Sequence, residues 1–244
     1  MISLSALLTG CFQSDDSSVL NVGVSADYPP FEFMQKGKIV GFDIDLINAI
    51  AQKLGKTVKI YDMDFNALMP SLNSKRMDLA ISGLAPSPKR KKSFDFSYTY
   101  FKDTMTIIVK KGSGIQSVDD LTTSTVGVQL GSSMEIFAKA VIAVDKPSLT
   151  IKPLSLNPQI IEELKVGRVD AMVVGKVQAV EFCKANPQLT YFTVEEKLTD
   201  ASTEGYAITF KKGSSLRNEI NQALSEFKKS GYLVKLEQKW IGVL

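Results

Sequence analysis

The chemistry that this sequence can perform is most visible in the segment 78–97, which reads DLAISGLAPSPKRKKSFDFS. Its apolar start has the length of a buried strand and ends at Ser82 and Gly83, where the glycine allows a turn or a close approach to a ligand. Four cations follow at 89–92. An arginine can hold a carboxylate through two parallel hydrogen bonds, so Arg90 is a candidate anion ligand. For its three lysine neighbours, a solvated charged face is the simpler explanation.

The composition restricts the classes of function. A chain of 244 residues with 44% apolar and 23% charged residues can form one large domain or two medium ones with a sizeable core. The net charge of +3 is too small to indicate nucleic-acid binding, and no basic run is interleaved with aromatics. Histidine is absent, and the two cysteines lie far apart, so no zinc site is expected. We therefore predict neither a metal nor another cofactor.

Alternating strand and helix patterns predict the scaffold that positions these residues. Strands are predicted at 19–24, 57–61, 79–81, 106–109, 126–128, 151–154, 171–174 and 205–210. Helices are predicted at 42–54, 65–75, 157–166, 176–185 and, as a pair, within 216–240. The corner Arg76-Met77-Asp78 recurs as Arg168-Val169-Asp170, each time between a helix and a buried strand. One α/β unit is thus expected to be built twice.

Two polar segments are predicted to join the two units. The first, at 110–114, is basic and rich in glycine, and the second, at 195–204, is charged. Two similar lobes with two joints predict a cleft that opens and closes by hinging. Near that cleft, Pro86 and Pro88 are expected to keep the chain extended.

Several polar residues have structural explanations. Asp43 and Asp45 could suggest a metal site, but carboxylates are also favoured in the first turn of a helix. Ser132 and Glu135 have capping-box spacing, which predicts a helix start. The loop at Ser132 and Ser133 can still offer N–H groups to an anion.

The N-terminal residues 1–11, MISLSALLTGC, form an apolar segment too short to cross a bilayer. It resembles the end of a secretory signal, although the expected basic start is missing. The stretch LTGC resembles the lipobox of bacterial lipoproteins, in which the cysteine is acylated. Cys11 is therefore the expected lipidation site, and the polar residues after it would form a tether; a fortuitous cysteine near the chain end is the alternative.

Four motifs occur in a specific order and spacing: DYPPFEF at 27–33, VGFDIDL at 40–46, FNALMPSL at 65–72, and the segment 78–97. Together they resemble the polar amino-acid-binding proteins of bacterial ABC importers, solute-binding protein family 3, of the arginine-, lysine- or glutamine-binding type. The resemblance covers about residues 19–241.

The resemblance implies an α/β fold with two Rossmann-like lobes, joined by two hinge segments around a ligand cleft (periplasmic binding protein type II). Residues 1–18 would be signal remnant, lipobox cysteine and tether; 19–105 plus 203–244 would form lobe 1, and 106–202 lobe 2. The implied function is an extracytoplasmic component that captures a polar amino acid by its carboxylate. It would deliver this ligand to an ABC permease in the cytoplasmic membrane, itself held in the periplasm or at the outer face of the envelope by a lipid anchor.

The resemblance also implies site residues. Arg90 matches the arginine that binds the ligand's α-carboxylate. The other matches are the aromatic walls Tyr28 and Phe65, the strand-end pair Ser82 and Gly83, and Gln129, Ser132 and Ser133 of the second lobe.

Three positions depart from the family pattern. Gly175 stands where an aspartate usually binds the α-ammonium, Ala85 where a hydroxyl residue assists it, and Ser25 where an acid often receives a cationic side chain. Burying an unpaired ammonium is costly. We therefore expect either another acid, with Glu204 and Asp27 as candidates, or altered recognition of basic amino acids.

Two other functions are compatible with the same fold. Periplasmic cyclohexadienyl dehydratases resemble it, but their chemistry needs a general acid with a raised pKa in the cleft, and Val174-Gly175 supplies none. A ligand-binding lobe of a sensor or adhesin is the third alternative, because it would carry the same binding motifs.

Overall fold

The computed structural model describes residues 18–194 and 205–242. The strands in these ranges are β1 (Val19–Val24), β2 (Asp27–Tyr28), β3 (Glu32–Gln35), β4 (Lys38–Val40), β5 (Thr57–Asp62), β6 (Leu79–Ala80), β7 (Phe94–Phe96), β8 (Met105–Lys110), β9 (Thr125–Gln129), β10 (Thr150–Leu154), β11 (Ala171–Gly175), β12 (Leu189–Thr193) and β13 (Thr209–Lys211). The α-helices are α1 (Phe42–Lys53), α2 (Phe65–Asn73), α3 (Pro88–Lys91), α4 (Ser133–Phe137), α5 (Asn157–Lys165), α6 (Lys176–Ala185), α7 (Leu216–Lys229) and α8 (Tyr232–Trp240).

Two five-stranded sheets with the same internal order form the scaffold, and each defines one lobe. The first lobe has the order β5-β1-β6-β13-β7, and the second has β10-β9-β11-β8-β12. In each sheet the first three strands are parallel and the last two alternate in direction. The predicted repetition of one α/β unit is thus visible in the topology. A small sheet, β2-β3-β4, is formed by the segment between β1 and α1.

The repeated Arg-x-Asp corner has a structural role in both lobes. Asp78 Oδ2 accepts the backbone N–H of Asn21 at 2.7 Å, and Asp170 Oδ2 accepts that of Thr125 at 2.8 Å. Each aspartate therefore fixes the start of the central parallel strand of its own sheet, because a bond to a charged acceptor is stronger than a neutral one.

Helix α1 shows how the apolar pattern builds the core. Its side chains Phe42, Leu46, Ile47 and Ile50 are fully buried. On the other face, Asp45 accepts hydrogen bonds from Trp240 Nε1 at 2.7 Å and Lys239 Nζ at 2.6 Å, which ties α1 to α8. The helix dipole is therefore not the only reason for an acid in this first turn.

The chain crosses from the first sheet to the second between β7 and β8. The glycine-rich segment 110–114, which we predicted as the first joint, instead follows the end of β8 inside the second lobe. The return crossing lies between β12 and β13, and the predicted second joint at 195–204 falls outside the described residues. The two crossings meet in an antiparallel bridge between Phe101 and Tyr206.

The expectation of an extended chain after Pro86 and Pro88 is wrong in its second half. Ser87 caps the short helix α3 by accepting the N–H of Arg90 at 3.2 Å. Pro88 occupies the first helical turn, where its missing N–H costs nothing and its fixed φ is already helical.

Candidate ligand-binding site

Most of the predicted site residues in the described structure lie at or after the carboxyl ends of β1, β6, β9 and β11, two strands from each sheet, whereas Phe65 follows β5. Of the three parallel strands in each sheet, the first in the chain lies in the middle, the second at the edge and the third on the other side, so the strand order reverses at this point. Open α/β sheets bind ligands at such switch points. The two lobes present these strand ends to each other, so the candidate site is an interlobe cleft.

One cavity in the cleft, here called the acidic cavity, is lined by every predicted ligand-binding residue except Arg90. It is also lined by Asp27, Glu32 and Met134. Tyr28 and Phe65 are almost completely buried, at 6% and 7% exposure. The cavity measures about 10 Å³, which is room for about one water molecule. An amino acid can therefore enter only if the lobes separate.

Asp27 joins the two lobes across this cavity. Its Oδ2 accepts the backbone N–H of Asn157, at the start of α5, at 2.7 Å, and the amide of Gln129 lies 3.2 Å away. Burial raises the pKa of Asp27, and the hydrogen bonds from Asn157, Gln129 and Ser25 lower it in part. The acid that sequence reasoning named as a possible substitute therefore lies in the cleft, with Ser25 beside it.

Glu32 lines the acidic cavity and interacts with the fully buried Asp43. Glu32 Oε1 accepts the hydroxyl of Ser82 at 2.7 Å, and Asp43 Oδ2 accepts the hydroxyl of Tyr100 at 2.8 Å and the N–H of Gly83 at 3.1 Å. The remaining oxygen of each carboxyl has no conventional donor. The charge of Asp43 disfavours the ionisation of Glu32. Burial raises the pKa of both acids, and of Glu32 well above its usual value.

Ser82 and Gly83 are already engaged by these contacts. The Ser82 hydroxyl accepts the N–H of Ser25 at 3.0 Å while it donates to Glu32. Gly83 has a φ of 53°, and a Cβ there would lie 3.0 Å from the Tyr28 ring. Glycine is therefore required at this strand end both for the backbone conformation and for the close approach of an aromatic wall.

Arg90 lies at the edge of the cleft rather than in the acidic cavity. Its Nη1 donates to the carbonyl of Ala85 at 2.6 Å, and its Nη2 donates to the carbonyl of Gly131, in the other lobe, at 2.7 Å. Its guanidinium carbon is 5.9 Å from the centre of the Phe65 ring. Burial lowers its pKa to about 10, so the group remains cationic at neutral pH. Two of its five N–H donors are used in these bonds, which leaves donors for a carboxylate.

The loop of the second lobe begins helix α4. Ser132 Oγ accepts the N–H of Glu135 at 3.1 Å, which confirms the predicted helix start. The Glu135 carboxylate reaches the N–H of Gly131 at 2.6 Å, one position before the serine expected from a regular capping box. Ser133 donates to the sulfur of Met134 and lines the cleft.

A second cavity, here called the hinge cavity, adjoins the first, because Ser133 and Met134 line both. It also measures about 10 Å³, and its walls include Ala85, Asp103 and Gly175. Asp103 Oδ1 accepts the N–H groups of Thr104, Lys176 and Val177 at 2.8, 3.0 and 3.4 Å. Its Oδ2 accepts the Tyr206 hydroxyl at 3.2 Å. Burial raises the pKa of Asp103 to about 6.

Sequence reasoning missed Asp103 and Tyr206 and did not single out Glu32 within its motif. No periodicity marks Asp103, since it lies in a crossing segment whose partners are distant in sequence. Two predicted residues, Cys11 and Glu204, lie outside the described residues. Within the described residues, no cluster of three or more metal-ligating side chains is found, and no helix has the length and apolar character needed to span a membrane.

Two α/β lobes that close on a cleft of aromatic, acidic and arginine side chains define a type II periplasmic binding protein, as the resemblance implied. The family model of bacterial extracellular solute-binding proteins, family 3, matches residues 20–243. The chain belongs to this family of solute-binding proteins.

Individual relatives support this assignment to the family. The arginine-binding extracellular protein ArtP of Bacillus subtilis is 40% identical over 240 residues, which cover 96% of this chain and 92% of that protein. The structure of an ancestral arginine-binding protein bound to arginine is 41% identical with a TM-score of 0.84, over 92% of this chain and 99% of the other. An ancestral arginine-binding protein bound to glutamine is 42% identical with the same TM-score of 0.84, over 93% and 99%. These relatives are binding proteins, not enzymes.

Proposed function

We propose that this protein captures a cationic amino acid of the arginine type and delivers it to the permease of an ABC importer. The observation that carries the proposal is the acidic cavity. It is lined by Asp27 and Glu32 next to two aromatic rings, and none of the described residues that line it is Lys or Arg. Aromatic faces and carboxylates together suit the flat cation of a guanidinium.

The carboxylate end of the ligand is assigned to Arg90. Its guanidinium bridges the lobes through Ala85 and Gly131, so a ligand carboxylate bound there would be held between the two lobes. We propose that the lobes (19–105 plus 203–244, and 106–202) close on the ligand about the two crossing segments. An acyl group on Cys11 would hold the protein at the outer face of the membrane, near its permease.

The test compares L-arginine with L-citrulline, in which a neutral urea replaces the guanidinium at nearly the same size. Isothermal titration calorimetry should show L-arginine binding about 10- to 100-fold more tightly, the range for one charge-assisted hydrogen bond. Asp27→Asn should reduce this preference, whereas Asp119→Asn, which removes an exposed acid of the second lobe, should leave it unchanged. Equal affinity for the two compounds in the wild-type protein would refute a cationic ligand.

The enzyme alternative needs a new assessment. We argued that no acid lies at Val174-Gly175, but Asp103 supplies a buried carboxyl with a raised pKa next to Gly175. The non-enzyme assignment therefore rests on the relatives and not on the absence of a general acid. Incubation with prephenate or arogenate decides this point: release of carbon dioxide above that of an Asp103→Asn variant would support a dehydratase.

A further inference from the structure

Other side chains occupy the space in which a side chain at position 175 would lie. A Cβ built on Gly175 would lie 2.1 Å from Asp103 Oδ2 and 2.4 Å from Gln178 Oε1. The backbone of Gly175 is extended, with φ −71° and ψ 155°, so its conformation does not require glycine. The missing side chain at this position is therefore explained by the space that the Asp103 carboxylate and the Gln178 amide occupy.

Asp103 has hydrogen-bonding capacity left on the oxygen that faces this space. Its Oδ1 accepts three backbone N–H groups, which anchor it to the start of α6. Its Oδ2 accepts only one long bond, from the hydroxyl of Tyr206 at 3.2 Å. A carboxylate oxygen accepts two or more donors readily, so Oδ2 can take a further donor from the hinge cavity.

A second, independent feature also indicates an incomplete polar site. Gln178 is fully buried, and both its amide oxygen and its amide nitrogen lack partners in the described structure. Buried amides are normally satisfied, and an unpaired one costs about 1–3 kcal/mol. Both Gln178 and Asp103 converge on Gly175, at the wall of the hinge cavity.

The hinge cavity has the right position relative to the other ligand groups. Ala85, whose carbonyl is bound by Arg90, lines the hinge cavity together with Asp103. At the other end, the hydroxyl of Tyr206 lies 3.0 Å from that of Tyr28, a wall of the acidic cavity. A ligand whose side chain occupies the acidic cavity would therefore have its α-carbon between Arg90 and Asp103.

We infer that Asp103, supported by Gln178, binds the α-ammonium of the captured amino acid. The inference rests on the proposed function and assigns one end of the ligand. An ammonium carries three N–H donors; Asp103 Oδ2 and Gln178 Oε1 supply two acceptors, and the negative charge of Asp103 compensates the cation. The carboxylate thus comes from a crossing segment and not from the end of β11.

The test uses L-arginine and 5-guanidinopentanoic acid, which differ only in the α-ammonium, in titration calorimetry. Wild-type protein should prefer L-arginine by about 10- to 100-fold, the range for a bond between charged groups. Asp103→Asn should reduce this ratio to nearly one by weakening L-arginine alone. Asp119→Asn, an equal change in charge at an exposed site of the second lobe, should keep the ratio.

Gly175→Ala offers a second variant, because its methyl group would displace Asp103 Oδ2 and should reduce the same ratio. A wild-type ratio near one, or an Asp103→Asn variant with the wild-type ratio, overturns the assignment while the proposed function stands. Wild-type protein that binds neither compound refutes the proposed function, and the assignment with it.

Discussion

Replacement of Asp103 by asparagine is expected to stabilise the ligand-free protein at neutral pH. Burial raises the pKa of this carboxyl from 3.8 to about 6. An acid with a raised pKa in the folded state destabilises that state wherever the group is ionised in both states, and the penalty disappears as the pH falls through the folded-state pKa towards the unfolded one. The cost should therefore be complete above about pH 7 and lost near pH 4.

The magnitude follows from the size of the shift. About two pKa units at about 1.4 kcal/mol each give an upper limit of about 3 kcal/mol. Asparagine has nearly the same shape, and its carbonyl can keep the bonds from Thr104 and Lys176. Its amide can donate to Tyr206, whose hydroxyl then turns towards Tyr28. Little of the gain should therefore be lost to broken hydrogen bonds.

The assay is urea unfolding of the ligand-free protein at about pH 8 and about pH 4.5, in wild type and Asp103→Asn. The variant should have the higher free energy of unfolding at the higher pH, and the gap should narrow at the lower pH. Comparing the two proteins is necessary because Asp27, Glu32 and Asp43 also have raised pKa values. Identical pH dependences, or a variant that is less stable at pH 8, would refute the reasoning.

Two further predictions concern the opposite ends of the site. Arg90→Met should weaken L-arginine by about 100-fold or more, since it removes a desolvated partner of the carboxylate, but should spare agmatine, which lacks that carboxylate; equal losses measured by calorimetry would contradict the assignment. Gly83→Ala should lower the free energy of unfolding by about 1–2 kcal/mol, because its φ is 53° and the methyl group would press on Tyr28. Gly37→Ala, with φ 76° and open space, is the matched control and should cost less in the same thermal or urea melt.

Most of the scaffold could be predicted because hydrophobic periodicity reports burial directly. The predicted helix at 176–185 coincides with α6, and the strand at 19–24 coincides with β1. The edge strands β7 and β12 were missed, since β7 has only three residues and β12 is mostly exposed, so that neither gives a long apolar signal. Helix α3 was missed although Ser87 and Pro88 form a helix-start signature, because the prolines were interpreted only as extended chain.

The crossing between the lobes could not be found from composition. Glycine and lysine at 110–114 indicate a turn, but a turn can follow a strand inside a lobe as well as join two lobes. The actual crossing contains Tyr100 and Phe101, whose rings pack against Phe42 of the first lobe. Its packed aromatic residues have the composition of a core, so composition alone does not mark the segment as a crossing between lobes.

The same limit applies to the expectation drawn from Gly175, that another acid, Glu204 or Asp27, replaces the missing aspartate or that recognition is altered. A position-by-position comparison records which residue type stands at a place in the sequence, but a ligand meets only the atoms that reach a place in space. Asp103 reaches the space beside Gly175 from a segment that pairs with Tyr206 at the meeting point of the two crossings. Its burial without a cation destabilises the closed lobes, and a bound ammonium would compensate that charge. Ligand binding and lobe closure would then be coupled at this one carboxylate. Closure buries its charge, and the bound ammonium compensates that charge.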